Sequence, residues 1–125
     1  MNRIKIEMEF LLKASPAIVY QFLTTPACLV RWFCDSVEIL GEEYHFSWNG
    51  STESAEMIDD IEEERVRFRW EYADDDEYLE FRIYKAEITE DTVLEITDFC
   101  DADEEKEQKD LWARQVTQLK VESGG

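Results

Sequence analysis

Glycine, proline, histidine and basic residues are all scarce in this 125-residue chain, and each shortage excludes something. Four glycines, two of them at the last two positions, cannot form the glycine-rich loop that cradles phosphates. One histidine, His45, is all that a Ser-His or Cys-His arrangement would have to use. It stands between Tyr44 and Phe46 in an alternating run, which puts it on the outer face of a strand and makes it a poor base for an enclosed site. Three cysteines, Cys28, Cys34 and Cys100, are odd in number and spaced for neither a disulfide framework nor a zinc knuckle. They read as small buried apolar residues with reduced thiols, as in a cytoplasm. No stretch approaches the roughly 18 apolar residues of a membrane span, and Met1 to Lys5 leads into an alternating pattern without a signal-peptide run. A soluble, cytoplasmic protein is expected.

Basic charge is short as well. With 31 acidic against 13 basic residues the formal net charge is -18, so nucleic acid and an anionic membrane are both repelled at long range and disfavoured as partners. The acids cluster in Asp59 to Glu64, Asp74 to Glu77 and Asp101 to Glu107, where they read as solvated turns and a helix start. General acid-base work needs an acid with a shifted pKa, and solvent-rich runs do not supply one. The runs 74–77 and 101–104 would attract calcium only loosely, because neither has the turn glycine or the spaced glutamate of an EF-hand loop. No cofactor or metal site is expected, and no enzyme.

What the chain does have is apolar bulk and clear periodicity. Hydrophobic residues make up 44% and aromatics 13% of it, enough for one domain with its own core over residues 1–125. Ile4, Ile6, Met8, Phe10 and Leu12 alternate with mostly charged neighbours, which predicts a half-buried strand over 3–13. Ser15-Pro16 and Thr25-Pro26 each place a cap residue before a proline, predicting two short helices, the first ended by the second proline. Period two returns after Asp35: Val37 and Ile39; Tyr44, Phe46 and Trp48; the hairpin signal Asn49-Gly50; a partner strand over 52–60 with Ala55 and Met57. Val66, Phe68, Trp70 and Tyr72 then face inward against Arg65, Arg67, Arg69 and Glu71. Leu79, Phe81 and Ile83 follow, and a last strand over 92–99 carries Leu94 and Ile96. A meander is the economical order. From Asp103 to about Glu122 the period is helical, with Asp101 or Asp103 as cap, Leu111, Trp112, Val116 and Leu119 as the apolar stripe, and Ser123-Gly124-Gly125 as a frayed end.

The run Ala14-Ser15-Pro16 through Phe22, then Thr24-Thr25-Pro26 through Leu29 to Trp32-Phe33, resembles the opening of START-like domains of the SRPBCC/Bet v-like superfamily, related to the activator of heat-shock-protein ATPase. Phe46-Ser47-Trp48, Arg65 to Trp70, Thr97-Asp98-Phe99 and Leu111-Trp112 extend the resemblance over nearly the whole chain, towards a group of small acidic bacterial proteins. It implies an α+β helix-grip fold: a curved antiparallel sheet around a C-terminal helix, with two short helices after the first strand. It also implies binding of lipids, sterols or other apolar molecules, or, in one branch, of a chaperone. The terminal helix, four or five turns long, is short for such a fold, which implies a cavity open at that end rather than a sealed tunnel.

The expected ligand site is the inward aromatic set: Phe46, Trp48, Phe68, Trp70, Phe81 and Ile83 from the sheet, Trp32 and Phe33 from the helices, and Trp112 and Val116 from the tail. If these enclose a cavity, they bind a small apolar or amphipathic molecule; if they fill the interior themselves, they are core. Tyr20, Tyr72 and Asn49 are the polar groups nearest to orient such a ligand. The alternative is a protein-interaction module using the acidic loops and the Arg65, Arg67 and Arg69 ladder. An exposed edge strand also allows a homodimer.

Overall fold

The computed structural model describes residues 2–124; Met1 and Gly125 lie outside them. The element order is β1 (Arg3–Leu12), α1 (Pro16–Thr24), α2 (Pro26–Leu29), β2 (Ser36–Leu40), β3 (Glu43–Trp48), β4 (Ser51–Ile61), β5 (Arg65–Trp70), β6 (Leu79–Lys85), β7 (Thr92–Asp101) and α3 (Glu105–Ser123). The seven strands form one antiparallel sheet in the order β1-β7-β6-β5-β4-β3-β2. Strands β2 to β7 are a meander, and β1 returns to pair with β7 over ten residues, Arg3 opposite Asp101 to Leu12 opposite Thr92. With two short helices after β1 and the long helix packed on the sheet, this is the α+β helix-grip arrangement.

Local chemistry explains the boundaries. The Ser15 hydroxyl accepts from the Ile18 N–H at 3.3 Å, capping α1, with Pro16 at the first helical position. Thr25 precedes a proline and is therefore held extended (φ -96°, ψ 128°), which ends α1 and starts α2 in one residue. Asn49 and Gly50 both take positive φ, 51° and 85°, the backbone that a tight β3–β4 hairpin requires. A bulge between Met57 and Asp59 shifts the β4–β5 register. Without it Asp59 would share the inward parity of Met57; with it Asp59 lies opposite Arg67 and bonds Arg65 Nε at 2.6 Å.

Both ends of α3 differ from expectation. No side chain caps its start: a 3-10 turn, Ala102–Glu104, leads in, and the Asp101 carboxylate is held by Arg3 instead. At the other end Gly124 adopts a left-handed φ of 106° and its N–H reaches back to the last-turn carbonyls, so it closes the helix rather than fraying. Gly125 lies outside the described residues.

The interior is filled by its own aromatic rings. Phe33 meets Phe46 edge-on at 5.0 Å, Phe46 meets Phe68 at 6.0 Å, Phe68 meets Phe81 at 6.5 Å, and Phe81 meets Trp112 at 5.7 Å. Trp32 closes on Phe81 at 6.3 Å, and its indole donates to the Phe22 carbonyl at 2.8 Å, fastening the chain after α2 to α1. Val116 and Leu119 of α3 are buried against this cluster with Ile83, Leu94 and Ile96. Edge-to-face pairs add about 0.5–1.5 kcal/mol each beyond area burial. Cys34 and Cys100 are buried and Cys28 is half-buried; all three are free, and desolvation pushes the Cys34 thiol up to about 11, so it behaves as an apolar group. Truncation of the buried rings is accordingly expected to be severe. Phe46→Ala and Phe81→Ala should each lose about 3–5 kcal/mol in urea unfolding, against about 0.5–1.5 kcal/mol for Ile83→Val.

Candidate functional site

One end of the sheet's inner face is not covered by core. There the last inward residues of β3 and β5, Trp48 and Trp70, and Asp98 near the end of β7 stand across from Gln108, Leu111, Trp112 and Gln115 of α3. Those four helix positions follow the i, i+3, i+4, i+7 spacing of a single face. Between them is an open cleft of about 350 Å³, with Phe33 at its base and Arg3, Glu53, Tyr72, Glu77, Tyr78 and Phe99 around it. Phe33 is the joint between cleft and core: it stacks on Trp112 at 6.1 Å and meets Trp48 edge-on at 5.5 Å, and the Trp48 indole donates to the Phe33 carbonyl at 2.6 Å. Trp70 and Tyr72 lie nearly parallel, 11° apart with centroids at 6.0 Å, and form a flat wall.

The charged groups of the cleft are mainly acids: Glu53, Glu77 and Asp98 against Arg3. Asp98 is only 8% exposed. Its Oδ2 accepts from Trp112 Nε1 at 2.9 Å and Gln108 Nε2 at 3.2 Å, and its Oδ1 from the Phe99 N–H at 2.8 Å. Burial pushes its pKa above the usual carboxylate range even so, because three neutral donors do not replace bulk water for an anion. Glu77 is buried too but grips Arg3 with both oxygens, at 2.6 and 3.0 Å, and the guanidinium holds its carboxyl below the ordinary value. Arg3 also donates to Asp101 at 3.2 Å.

Of the ten expected ligand residues, Phe33, Trp48, Trp70 and Trp112 meet in this cleft. Trp32, Phe46, Phe68, Phe81, Ile83 and Val116 are packed into the closed core behind it. Of the polar trio, Tyr72 is on the cleft wall, 70% exposed because it lies two residues beyond the end of β5. Tyr20 is elsewhere, donating to Asp60 at 2.5 Å, and Asn49 sits in the hairpin with its N–H on Asp35 at 2.7 Å. The cleft lies over the first half of α3, so the short C-terminal end of that helix does not set its opening. The acids Glu53 and Asp98 were within reach of the sequence pattern: Glu53 shares the inward parity of Ala55 and Met57, and Asp98 that of Leu94 and Ile96.

The outer face is different in kind. His45 Nδ1 lies 2.6 Å from Ser54 Oγ and Nε2 lies 3.5 Å from Glu43, an order of groups like that of a catalytic triad. These are cross-strand neighbours on the sheet surface, however, and β4 is paired on both sides by β3 and β5, which engages the backbone donors an oxyanion would need. The arginine ladder is spent locally: Arg65 on Asp59, Arg67 on Glu80 and over the Tyr78 ring, Arg69 on the Asp75 carbonyl at 2.7 Å. The carboxylates of Asp101, Asp103 and Glu104 come within 4.8 Å of one another, but Asp103 and Glu104 are exposed and Asp101 already holds Arg3.

A family model described as the START-like superfamily domain matches residues 1–124. The chain belongs to the START-like superfamily. Among solved structures it is similar to BfR322 of Bacteroides fragilis, at 34% identity over 100% of this chain and 94% of that one, with a TM-score of 0.70. The Aha1 dimer from Colwellia psychrerythraea shares the fold at 22% identity and a TM-score of 0.78, covering 94% of this chain and 93% of that one. The protein MLL2253 of Mesorhizobium loti shares it at 15% identity and a TM-score of 0.78, over 95% and 96% of the two chains. Among curated proteins nothing matches. In this START-like chain the cleft lies between sheet and C-terminal helix, and among the described residues no helix is long and apolar enough to cross a membrane.

The two buried acids impose opposite pH dependences. Glu77, depressed in the fold, contributes stability that is present above its unfolded pKa and lost as pH falls through its folded value. Asp98, raised in the fold, subtracts stability above its folded pKa, and that cost vanishes below its unfolded value. Glu77→Gln should therefore lower Tm at neutral pH, by the equivalent of about 1 kcal/mol for a partly exposed bidentate pair. Its deficit should shrink as pH is taken from about 6 to about 3. A Tm-against-pH series for both proteins checks the sign.

Proposed function

We propose that this START-like protein binds, without transforming it, a small molecule with a flat apolar body in the cleft between the inner sheet and α3. The observation that carries this reading is the set of large aromatic faces, Trp48, Trp70, Tyr72 and Trp112, gathered around about 350 Å³ of open space beside a core that is otherwise full. A filled core favours a compact ligand held at the mouth over a long lipid threaded through the interior. Covering about 200 Å² of apolar ligand surface contributes roughly 5 kcal/mol at about 25 cal/mol per Å². That is a sub-millimolar affinity, and ring stacking on the Trp70–Tyr72 wall must add to it to reach the micromolar range.

A binding role fits the chemistry of the lining better than a catalytic one. Among the described residues no histidine, cysteine, serine or threonine lines the cleft, Glu77 is locked to Arg3, and Asp98 is engaged by three N–H donors. The reading takes residues 1–125 as one such domain, and three free thiols favour a reducing compartment such as the cytoplasm. A protein-interaction role through the arginine ladder is less favoured, because those cations are spent within the sheet. A homodimer through an edge strand, β1 or β2, is compatible with binding at the cleft, which lies on the inner face.

The test is native mass spectrometry of the protein purified gently from its own host's lysate, followed by denaturing extraction. A stoichiometric small molecule is expected, and its occupancy should fall in Trp70→Ala protein that still unfolds cooperatively. A bare mass, with a protein retained instead, contradicts the reading. With a bound aromatic probe, Trp70→Ala should weaken affinity about tenfold, consistent with loss of one stacking face.

A further inference from the structure

We propose that the ligand of the cleft is an organic cation, a protonated amine carried on an aromatic or other flat apolar body, with its N–H donors on Asp98. This rests on the ligand-binding reading of the same cleft.

The argument begins with what Asp98 lacks. A carboxylate has about four lone-pair positions, and the three protein donors use three of them, two at Oδ2 and one at Oδ1. One acceptor position at Oδ1 is left on a side chain that borders open space. None of the three donors is charged. The cation of the cleft, Arg3, is committed to Glu77 through two bonds and to Asp101 through a third. Asp98 is thus a buried anion with hydrogen bonds but no counter-ion in contact.

The rest of the lining points the same way. One arginine faces three carboxylates there: Arg3 against Glu53, Glu77 and Asp98. The Arg3–Glu77 pair cancels, and Glu53 and Asp98 remain uncompensated. A neutral ligand filling the cleft would shut the free acceptor position of Asp98 off from solvent and leave an unpaired charge in a drier site, an expensive result. An anionic ligand would be worse. A cation removes that penalty, and the rings of Trp48, Trp70 and Tyr72 offer it electron-rich faces as well as apolar contact. The net charge of -18 adds a long-range pull of the same sign.

The experiment uses three probes of one shape and different charge: 1-naphthylmethylamine, 1-naphthalenemethanol and 1-naphthoate. Each is titrated calorimetrically into the full chain at neutral pH, with Trp fluorescence followed in parallel. The amine should bind about tenfold or more tighter than the alcohol, the size of one charge-assisted hydrogen bond, and the carboxylate should bind weakest. Asp98→Asn should erase most of that preference. Because Asp98 also holds Trp112, that variant is expected to lose stability, so Glu53→Gln is the second arm: Glu53 is exposed, and its loss should reduce the preference about two- to threefold with folding intact. Equal binding of amine and alcohol, with Trp fluorescence perturbed by both, overturns the cationic ligand and leaves the binding cleft standing. An amine preference that survives both substitutions also overturns it, since the attraction would then come from the acidic surface at large. If none of the probes binds, this inference and the binding reading fall together.

Discussion

The hydrogen bond from the Trp112 indole to the buried Asp98 carboxylate is the point on which the arrangement of sheet and helix depends. It joins the last strand to α3, with Gln108 reaching the same oxygen one turn earlier along the helix. With α3 held there, Trp112 becomes the roof of the core, edge-on to Phe81 and stacked on Phe33, and Leu111 and Gln115 are left at the mouth. The arrangement is not free of cost. A carboxylate out of water raises its own pKa, and an indole N–H deprived of that acceptor would be left unsatisfied at about 1–3 kcal/mol. Helix placement, core closure and the polarity of the cleft are therefore consequences of one buried polar contact.

The core of this START-like fold is filled by its own side chains. Six rings, Trp32, Phe33, Phe46, Phe68, Phe81 and Trp112, occupy the volume between the sheet and the helices. The open space lies outward at the strand ends, beside the flat faces of Trp48 and Trp70 and the acids Glu53 and Asp98. On the outer face, by contrast, each arginine of β5 has a local acceptor, and Glu80 beneath Arg67 and Arg82 is buried by them.

Much of the fold is written in short-range signals. Period-two runs mark the strands, Ser15-Pro16 and Thr25-Pro26 mark the helix starts, and Asn49-Gly50 marks the hairpin, because each is a local steric or hydrogen-bonding preference. The site was less legible. Parity tells which face a residue is on but not how far along the strand the core extends, so mid-strand Phe46, Phe68 and Phe81 look the same as end-of-strand Trp48 and Trp70. Asp98 carried the inward parity of Ile96, yet a carboxylate reads as surface unless its donors are known, and Gln108 and Trp112 reach it only after α3 has docked. The loss of a cap at Asp101 has the same origin, since Arg3 meets it only through the β1–β7 pairing. The bulge at Met57–Asp59 decides where an acid points and leaves no mark in the periodicity before it.

Hydrogen exchange at the indole N–H groups tests the central claim most directly, because the four tryptophans sit in different places. The Trp112 indole donates to buried Asp98, whereas the Trp70 indole, half-buried on the cleft wall, has no protein acceptor among the described residues. In a 15N-resolved exchange experiment the account predicts that Trp112 exchanges only with global unfolding, while Trp70 exchanges early. Exchange of Trp112 as fast as that of Trp70 would contradict it, for the helix would then lift from the sheet in the native protein and neither a closed core nor a fixed cleft would exist.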